Sequence, residues 1–115
     1  MKSVNEEDLK DVAQWLNTEI ENVEITYQKE SIKLYENAAK EMYDSYDEFP
    51  KDKKRTDKII RLLKKGQSAL PIYVEKDDPH NFVMEGRHRM VAFYLLGYEE
   101  VMVARVSKKT NKLKF

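Results

Sequence analysis

Residues 81–106, NFVMEGRHRMVAFYLLGYEEVMVARV, contain the pattern that decides the fold. Asn81–Met84 is a short apolar segment that predicts a β-strand, and Gly86 follows it closely. The apolar run over 90–96 is closed by a second glycine, which predicts a helix over 87–96 with a glycine stop. Glu100–Val106 is rich in valine and predicts a further strand. The order strand, glycine, helix, strand indicates an α/β unit.

The segments before this stretch predict one more strand and one more helix. Leu70–Glu75 is rich in β-branched and aromatic residues, and the turn residues 77–79 can join it to the next strand as a hairpin. Residues 56–65 predict a helix capped by Thr56 and stopped by Gly66. The charged segment KDKKR, 51–55, is interpreted as a solvated loop.

The N-terminal part, residues 1–49, predicts two helices. The first covers 3–19, with Ser3 as its N-cap. Residues 20–27 are compatible with a short strand or with a bend. The second helix covers 28–48, because apolar residues recur at steps of three and four, and Pro50 is expected to end it. The predicted fold is a single α+β domain, with a helical extension over 1–49 and a small mixed sheet packed with helices over 50–115.

Composition excludes several classes of protein. The chain has 115 residues, of which 41% are hydrophobic and 37% charged, and its formal net charge is zero. A net charge of zero gives no overall field that favours nucleic acid or membrane. There is no cysteine, which excludes disulfides, thiolate metal sites and a cysteine nucleophile. No segment is typical of a signal peptide or a membrane span, so a cytoplasmic location without membrane contact is expected.

The segment Glu85–Arg89 concentrates charge at the start of the predicted helix. Gly86 permits a sharp turn and a close approach of the backbone to a ligand. The first N–H groups of a helix attract anions, and Arg87, His88 and Arg89 can add charge-assisted hydrogen bonds to phosphate oxygens. Glu85 is suited to hold a divalent metal or to accept a proton from a hydroxyl group. Short basic clusters are also common on solvated helix faces, so both interpretations stay open at this point.

The chain from about 57 to 106 resembles the ParB/sulfiredoxin-like domain, also called the ParB-like nuclease superfamily. IIRLLKKGQSALPIYVEKDD is similar to the family's helix and proline-led strand, and the stretch 81–106 to its second part. Gly86, His88 and Arg89 match the glycine, histidine and arginine of the family's G-x-H-R motif. The resemblance covers less than half of the chain, and residues 1–49 have no counterpart in it.

The resemblance implies that this motif binds the phosphates of a nucleotide. Gly86, His88 and Arg89 would then contact phosphate, and Glu85 would lie where many members have an aspartate that serves as base or metal ligand. Arg87 lies where sulfiredoxins have their cysteine, so cysteine-dependent sulfiredoxin chemistry is excluded. The consecutive Glu-Arg-Arg of ParB proteins is also not matched, and a role as a partition clamp is not expected.

Other residues invite functional interpretations of their own. Asp77, Asp78 and His80 together have ligand types that hold metals, although turn chemistry explains them equally well. The basic residues of 51–55 can contact a nucleic-acid backbone or a substrate phosphate, although a solvated loop explains them better; they are Lys51, Lys53, Lys54 and Arg55. The aromatic residues Trp15, Tyr35 and Tyr46 are expected in the core rather than at a stacking site.

Two hypotheses of function follow from these observations. The first is a nucleotide-phosphate-binding domain with nucleotide-hydrolysing or phosphoryl-transfer activity. ATP, CTP or another nucleotide would be bound by Gly86, Arg87, His88 and Arg89, and Mg²⁺ would be held at Glu85. The second is a non-catalytic binding or inhibitory accessory protein of a mobile element, whose partner is nucleic acid or a host enzyme.

Overall fold

A four-stranded mixed sheet in the order β1-β4-β2-β3 organises the molecule, with four α-helices on its faces. The computed structural model describes residues 5–109. Along the chain, the elements are α1 (Glu6–Trp15), β1 (Val23–Ser31), α2 (Glu36–Asp44), α3 (Pro50–Lys64), β2 (Ile72–Glu75), β3 (Val83–Glu85), α4 (Arg87–Leu95) and β4 (Glu100–Lys108). Two 3₁₀ turns, Ile20–Asn22 and Ile32–Leu34, flank β1. The described residues therefore form an α+β fold.

The strand pairing joins the two halves of the chain. β1 pairs with β4 antiparallel along its whole length, from Val23 opposite Lys108 to Ser31 opposite Glu100. β4 pairs with β2 in parallel, and β2 with β3 antiparallel. Because β4 lies between β1 and β2, the N-terminal part of the chain is built into the same sheet as the C-terminal part.

Each face of the sheet buries a separate hydrophobic cluster. The larger one lies under α2, α3 and α4 and includes Tyr35, Ile72, Val74, Val91, Phe93 and Val103. The smaller one lies under α1 and consists of Val12, Tyr73, Met84, Ala104 and Val106. Residues alternate between these faces along β2 because successive side chains of a strand point to opposite sides.

The predicted order of elements over 70–106 is confirmed. The expected hairpin is β2 and β3, the expected glycine-closed helix is α4, and the expected valine-rich strand is β4. Gly66 and Gly97 follow α3 and α4 with φ of 92° and 80°. These left-handed conformations are the glycine stops that the sequence predicts.

The predicted helix over 28–48 is wrong in its first third. Residues 28–31 belong to β1, and the α-helix begins only at Glu36. Residues 20–27, for which the sequence allowed a short strand or a bend, form a 3₁₀ turn followed by the start of β1. Pairing with β4 decides the conformation here, since all nine residues of β1 have a partner on that strand. The extension over 1–49 is therefore not purely helical.

The predicted loop over 51–55 is also wrong, because α3 begins at Pro50. Proline suits the first position of a helix, where its missing N–H group is not needed. Thr56 is not a cap but lies inside the helix, is 1% exposed, and shares a hydrogen bond with the Tyr46 hydroxyl. Pro50 thus starts a helix rather than ending one.

The first helix is shorter than predicted and is capped differently. Asn5 caps α1, and its side chain accepts hydrogen bonds from the backbone N–H groups of Glu7 and Asp8. Ser3 and the predicted edge strand over 112–115 lie outside the described residues. Tyr35 and Tyr46 are buried as predicted, whereas Trp15 is 57% exposed, so its expected core position is wrong. Across residues 5–109, the helices are too short and too polar to span a lipid bilayer.

A buried ion pair ties β1 to β4. The Arg105 guanidinium donates to both carboxylate oxygens of Glu30, at 2.8 Å each. It also donates to the backbone carbonyl of Glu75 and to the side-chain oxygen of Asn81. The Tyr35 hydroxyl donates to the same Glu30 carboxylate. This network holds the loop after β2 against β4.

Candidate functional site

Gly86 connects β3 to α4 and takes a conformation that other residues rarely adopt. Its φ is 93°, and a β-carbon added there would lie 3.2 Å from the Ile72 Cα and 3.3 Å from the Arg89 Nη1. A glycine is therefore required by both backbone conformation and space. No side chain caps the start of α4. The first turn of this helix thus keeps N–H groups available to an anion.

An open cavity of about 410 Å³ lies beside the start of α4, and we call it the helix-start cavity. Four of the five predicted site residues line it, namely Glu85, Gly86, Arg87 and His88. The other helices add Asp11, Trp15 and Arg55. The structure therefore brings most of the predicted motif together on one accessible surface.

Arg87 is the most available cation of the motif. Its side chain is exposed, lines the helix-start cavity, and has no hydrogen-bond or ion-pair partner within residues 5–109. His88 is half-buried, and its Nε2 lies 3.0 Å from Asp52 Oδ1 in the first turn of α3. Asp52 thereby fixes the orientation of the imidazole ring, whose other edge can face a ligand.

Arg89 is committed to the interior of the protein. Its Nη1 donates to the Pro71 carbonyl and its Nη2 to Asp8 Oδ1, both at 2.9 Å. The side chains of Arg89 and Asp8 are 17% and 6% exposed. Arg89 does not line the helix-start cavity. It joins α1, the start of β2 and α4, and so positions the motif rather than contributing to the cavity wall.

Asp8 and Asp11 are site residues that the sequence does not indicate, and Arg55 is one for which a solvated loop is the preferred interpretation of the sequence. Arg55 was assigned to a loop, and only its place on α3 brings it to the helix-start cavity. The signal for it was Pro50, which can open a helix as well as close one. Asp8 and Asp11 are three residues apart on α1, so they lie on one helix face, but no local pattern shows that this face packs beside β3.

Glu85 has the most unusual acid–base property of the site. Burial, followed by the nearby carboxylates of Asp11 and Asp8, raises the pKa of Glu85 to about 7, against a partial opposing effect of Arg89. An irregularity in the pairing of β2 with β3 places Glu85 opposite Tyr73, whose side chain lies in the cluster under α1. A carboxyl group with this pKa can both accept and donate a proton near neutral pH.

The pKa of Glu85 can be measured directly. In a pH titration followed by carboxyl-carbon NMR, we expect the Glu85 resonance to change with a midpoint near 7. Asp11→Asn is expected to lower this midpoint without returning it to 4.5, because burial is the larger cause and remains. Glu36→Gln, which changes an exposed carboxylate on α2, serves as the control. A midpoint below about 5 in the wild-type protein would show that burial and the nearby carboxylates do not raise the pKa of Glu85.

The side chains present permit only limited metal binding. No group of three or more histidine or acidic side chains in residues 5–109 is arranged to hold a metal ion. Asp78 accepts hydrogen bonds from the backbone N–H groups of His80 and Phe82, so turn chemistry accounts for it. Glu85 and Asp11 both line the helix-start cavity. One or two carboxylates suit Mg²⁺ when phosphates and water complete its coordination.

A larger cavity of about 550 Å³ lies on the other side of Arg87, between α2 and the segment 80–83, and we call it the α2 cavity. Its apolar walls include Met42, Phe49 and Met90. Phe82, Val83 and Arg87 line both cavities. The two cavities therefore adjoin along these three residues.

Comparison with known proteins leaves the geometry as the basis for any functional assignment. No protein-family model, curated protein or solved structure matches this chain.

Proposed function

We propose that the protein binds the phosphate groups of a nucleotide in the helix-start cavity. One observation carries this proposal. The uncapped start of α4 at Gly86 lies in the same open cavity as the side chains of Arg87, His88 and Arg55. Helix N–H groups and guanidinium groups in one concave site suit a phosphate group. The resemblance of 57–106 to the ParB/sulfiredoxin-like domain agrees with this proposal.

Each cation has a separate task in this proposal. Arg87 is exposed and unpaired among the described residues, so it can bind phosphate without breaking an existing ion pair. His88 is oriented by Asp52, and Arg55 approaches from α3 on another side of the cavity. Arg89 does not contact the ligand but fixes α4 through Asp8 and Pro71.

Glu85 gives the site a group that can take part in hydrolysis or phosphoryl transfer. It lines the cavity, and its pKa of about 7 allows it to accept a proton from water or from an acceptor hydroxyl. When bound, Mg²⁺ would neutralise phosphate charge and would be held by Asp11 together with the phosphates and water, so that the Glu85 carboxylate stays free to accept the proton. We assign the role of proton acceptor to Glu85.

Calorimetric titration with ATP, CTP and ADP, each with and without Mg²⁺, tests the proposed binding. We expect at least one nucleotide to bind, and Arg87→Ala to weaken that binding by roughly 10- to 100-fold, because a charge-assisted hydrogen bond is lost. Arg61→Ala is the matched control, since Arg61 is an exposed cation of α3 that lines neither cavity. If no nucleotide produces heat while the protein is folded, the proposal is wrong.

The second candidate is non-catalytic binding, and the position of Arg89 favours it. An arginine tied to Asp8 at 2.9 Å is not available to neutralise charge that develops on a phosphoryl group. Phosphate release distinguishes the two candidates. If the wild-type protein binds a nucleotide without releasing phosphate, and no ADP or CDP forms either, it is a binding protein. If it releases phosphate and Glu85→Gln retains binding but stops the release, Glu85 acts in catalysis.

A further inference from the structure

The α2 cavity and the helix-start cavity are placed so that one ligand can occupy both. They share Phe82, Val83 and Arg87, and the side chains of Phe82 and Arg87 are exposed. A ligand held at the start of α4 can therefore extend across these residues without displacing a buried group. The volumes, about 550 Å³ and 410 Å³, each lie within the range of small-molecule sites, roughly 300–1,000 Å³.

The walls of the α2 cavity differ in chemistry from those of the helix-start cavity. Met42, Met90, Phe49 and Phe82 give it a largely apolar surface. Phe49 and Phe82 are 53% and 52% exposed, which is unusual for two large apolar side chains that line one concave surface. These walls suit a flat apolar or aromatic group, whereas the neighbouring cavity suits phosphate.

Three of the six polar side chains that line the α2 cavity have hydrogen-bond partners, whereas those of Glu41, His80 and Arg87 have none in the part of the chain that the structure describes. Asp52 contacts His88, the side-chain oxygen of Asn81 accepts from Arg105, and the Ser45 hydroxyl donates to the Met42 carbonyl. The carboxylate of Glu41 lines the cavity and has no hydrogen-bond partner in the part of the chain that the structure describes. An ionised carboxylate only accepts hydrogen bonds, so it matches a ligand that presents an N–H donor.

A base at Trp15 is the competing arrangement, because this exposed ring lines the helix-start cavity. Trp15 already packs edge-to-face against Phe82, with ring centroids 5.6 Å apart and planes at 62°. Two rings at this angle do not form a parallel slot for a third ring. The α2 cavity, whose walls are more apolar than those of the helix-start cavity, therefore suits a base better.

We propose that the α2 cavity receives the base of the nucleotide whose phosphates bind at the start of α4, an inference that rests on the proposed function above. The base lies among Met42, Phe49 and Phe82, and an exocyclic amino group on the base donates to Glu41. Residues of α2, in the part of the chain that has no counterpart in the family resemblance, then determine which nucleotide binds.

Titration with ligands that differ only in the base tests this inference. Tripolyphosphate, which has no base, is expected to bind at least about tenfold more weakly than CTP. Ala38→Trp places a large side chain in the α2 cavity, and it is expected to reduce CTP affinity to that of tripolyphosphate while leaving tripolyphosphate binding unchanged. Asn37→Trp is the matched control, because Asn37 is the neighbouring exposed residue of α2 and does not line the cavity.

A comparison of CTP with UTP tests the role of Glu41. UTP has a carbonyl group where CTP has an amino group, so it is expected to bind several-fold more weakly than CTP. Glu41→Ala is expected to remove most of this difference. Equal CTP and UTP affinities in the wild-type protein would overturn the assignment of an amino group to Glu41.

The outcomes separate this inference from the proposed function. If neither tripolyphosphate nor any nucleotide binds, the phosphate site itself is wrong. If tripolyphosphate binds as tightly as CTP, the phosphate site stands and the base site is wrong. If Ala38→Trp leaves CTP affinity unchanged while Trp15→Ala lowers it to that of tripolyphosphate, the base lies at Trp15 and the inference is overturned.

Discussion

Arg105→Met is expected to lower the free energy of unfolding by about 3–5 kcal/mol, because it leaves the Glu30 carboxylate buried without its cation. The side chains of Arg105 and Glu30 are 11% and 7% exposed, so solvent cannot replace the lost partner. The same substitution removes the hydrogen bonds from Arg105 to Glu75 and Asn81. Urea denaturation followed by circular dichroism measures the loss.

Two further variants separate the ion pair from general disturbance of the sheet. Arg61→Met removes an exposed arginine from α3 and is expected to change the free energy of unfolding by less than about 0.5 kcal/mol. Glu30→Gln combined with Arg105→Met is expected to recover part of the loss, since no buried charge then remains. An Arg105→Met variant as stable as the wild type would show that the pair contributes nothing.

The same pair gives stability a characteristic acid dependence. Burial raises the pKa of Glu30, but hydrogen bonds from Arg105, Tyr35 and Gln28 outweigh this effect and lower it to about 2. Its folded-state pKa is thus below the unfolded value of 4.5. The contribution of Glu30 to stability is fully present above pH 4.5 and is lost as the pH falls towards 2. In Arg105→Met, this part of the acid dependence is expected to shrink.

The sequence was sufficient to predict those elements whose signals are local. α4 has a glycine on each side and an apolar run between them, and β4 is rich in valine. β1 could not be predicted in the same way. Its residues, VEITYQKES, contain charged and polar side chains, because one face of the strand, with Glu24, Thr26 and Gln28, is exposed rather than covered by an apolar layer. Pairing with β4, whose residues lie 69 to 85 positions further along the chain, makes this whole segment a strand.

The residues of the candidate site also fall into two groups, those that the local sequence indicates and those that only the packing of distant elements brings together. Glu85, Gly86, Arg87 and His88 are consecutive, so the sequence alone indicated that they act together, and all four line the helix-start cavity. Asp8, Asp11 and Arg55 come from distant helices, and their approach depends on how α1 and α3 pack. Arg89 belongs to the same consecutive segment but does not line the cavity, because Asp8 and the Pro71 carbonyl hold its guanidinium.

Arg89→Met is expected to lower the free energy of unfolding by about 3–5 kcal/mol, an effect as large as that of Arg105→Met. Asp8 would keep a buried carboxylate whose Oδ1 has lost its donor, and its Oδ2 already has no hydrogen-bond partner in the described structure. Asp8→Asn together with Arg89→Met is expected to restore part of this loss. Arg87→Met, two positions earlier on an exposed side chain, is expected to change stability by less than about 0.5 kcal/mol.

Ligand affinity in these variants decides between the two roles of Arg89. If Arg89 positions α4 and does not touch phosphate, the double variant Asp8→Asn, Arg89→Met should bind tripolyphosphate within about threefold of the wild type once it is folded, because the charge-assisted contacts of Arg87, His88 and Arg55 remain. Arg87→Met should then have the opposite phenotype, with full stability and weakened binding. If the folded double variant instead loses affinity by tenfold or more, Arg89 contacts the ligand, and the ligand must draw its guanidinium away from Asp8 on binding. The two arginines, two residues apart on one helix, therefore distinguish a preformed phosphate site from one that forms only when an internal ion pair breaks.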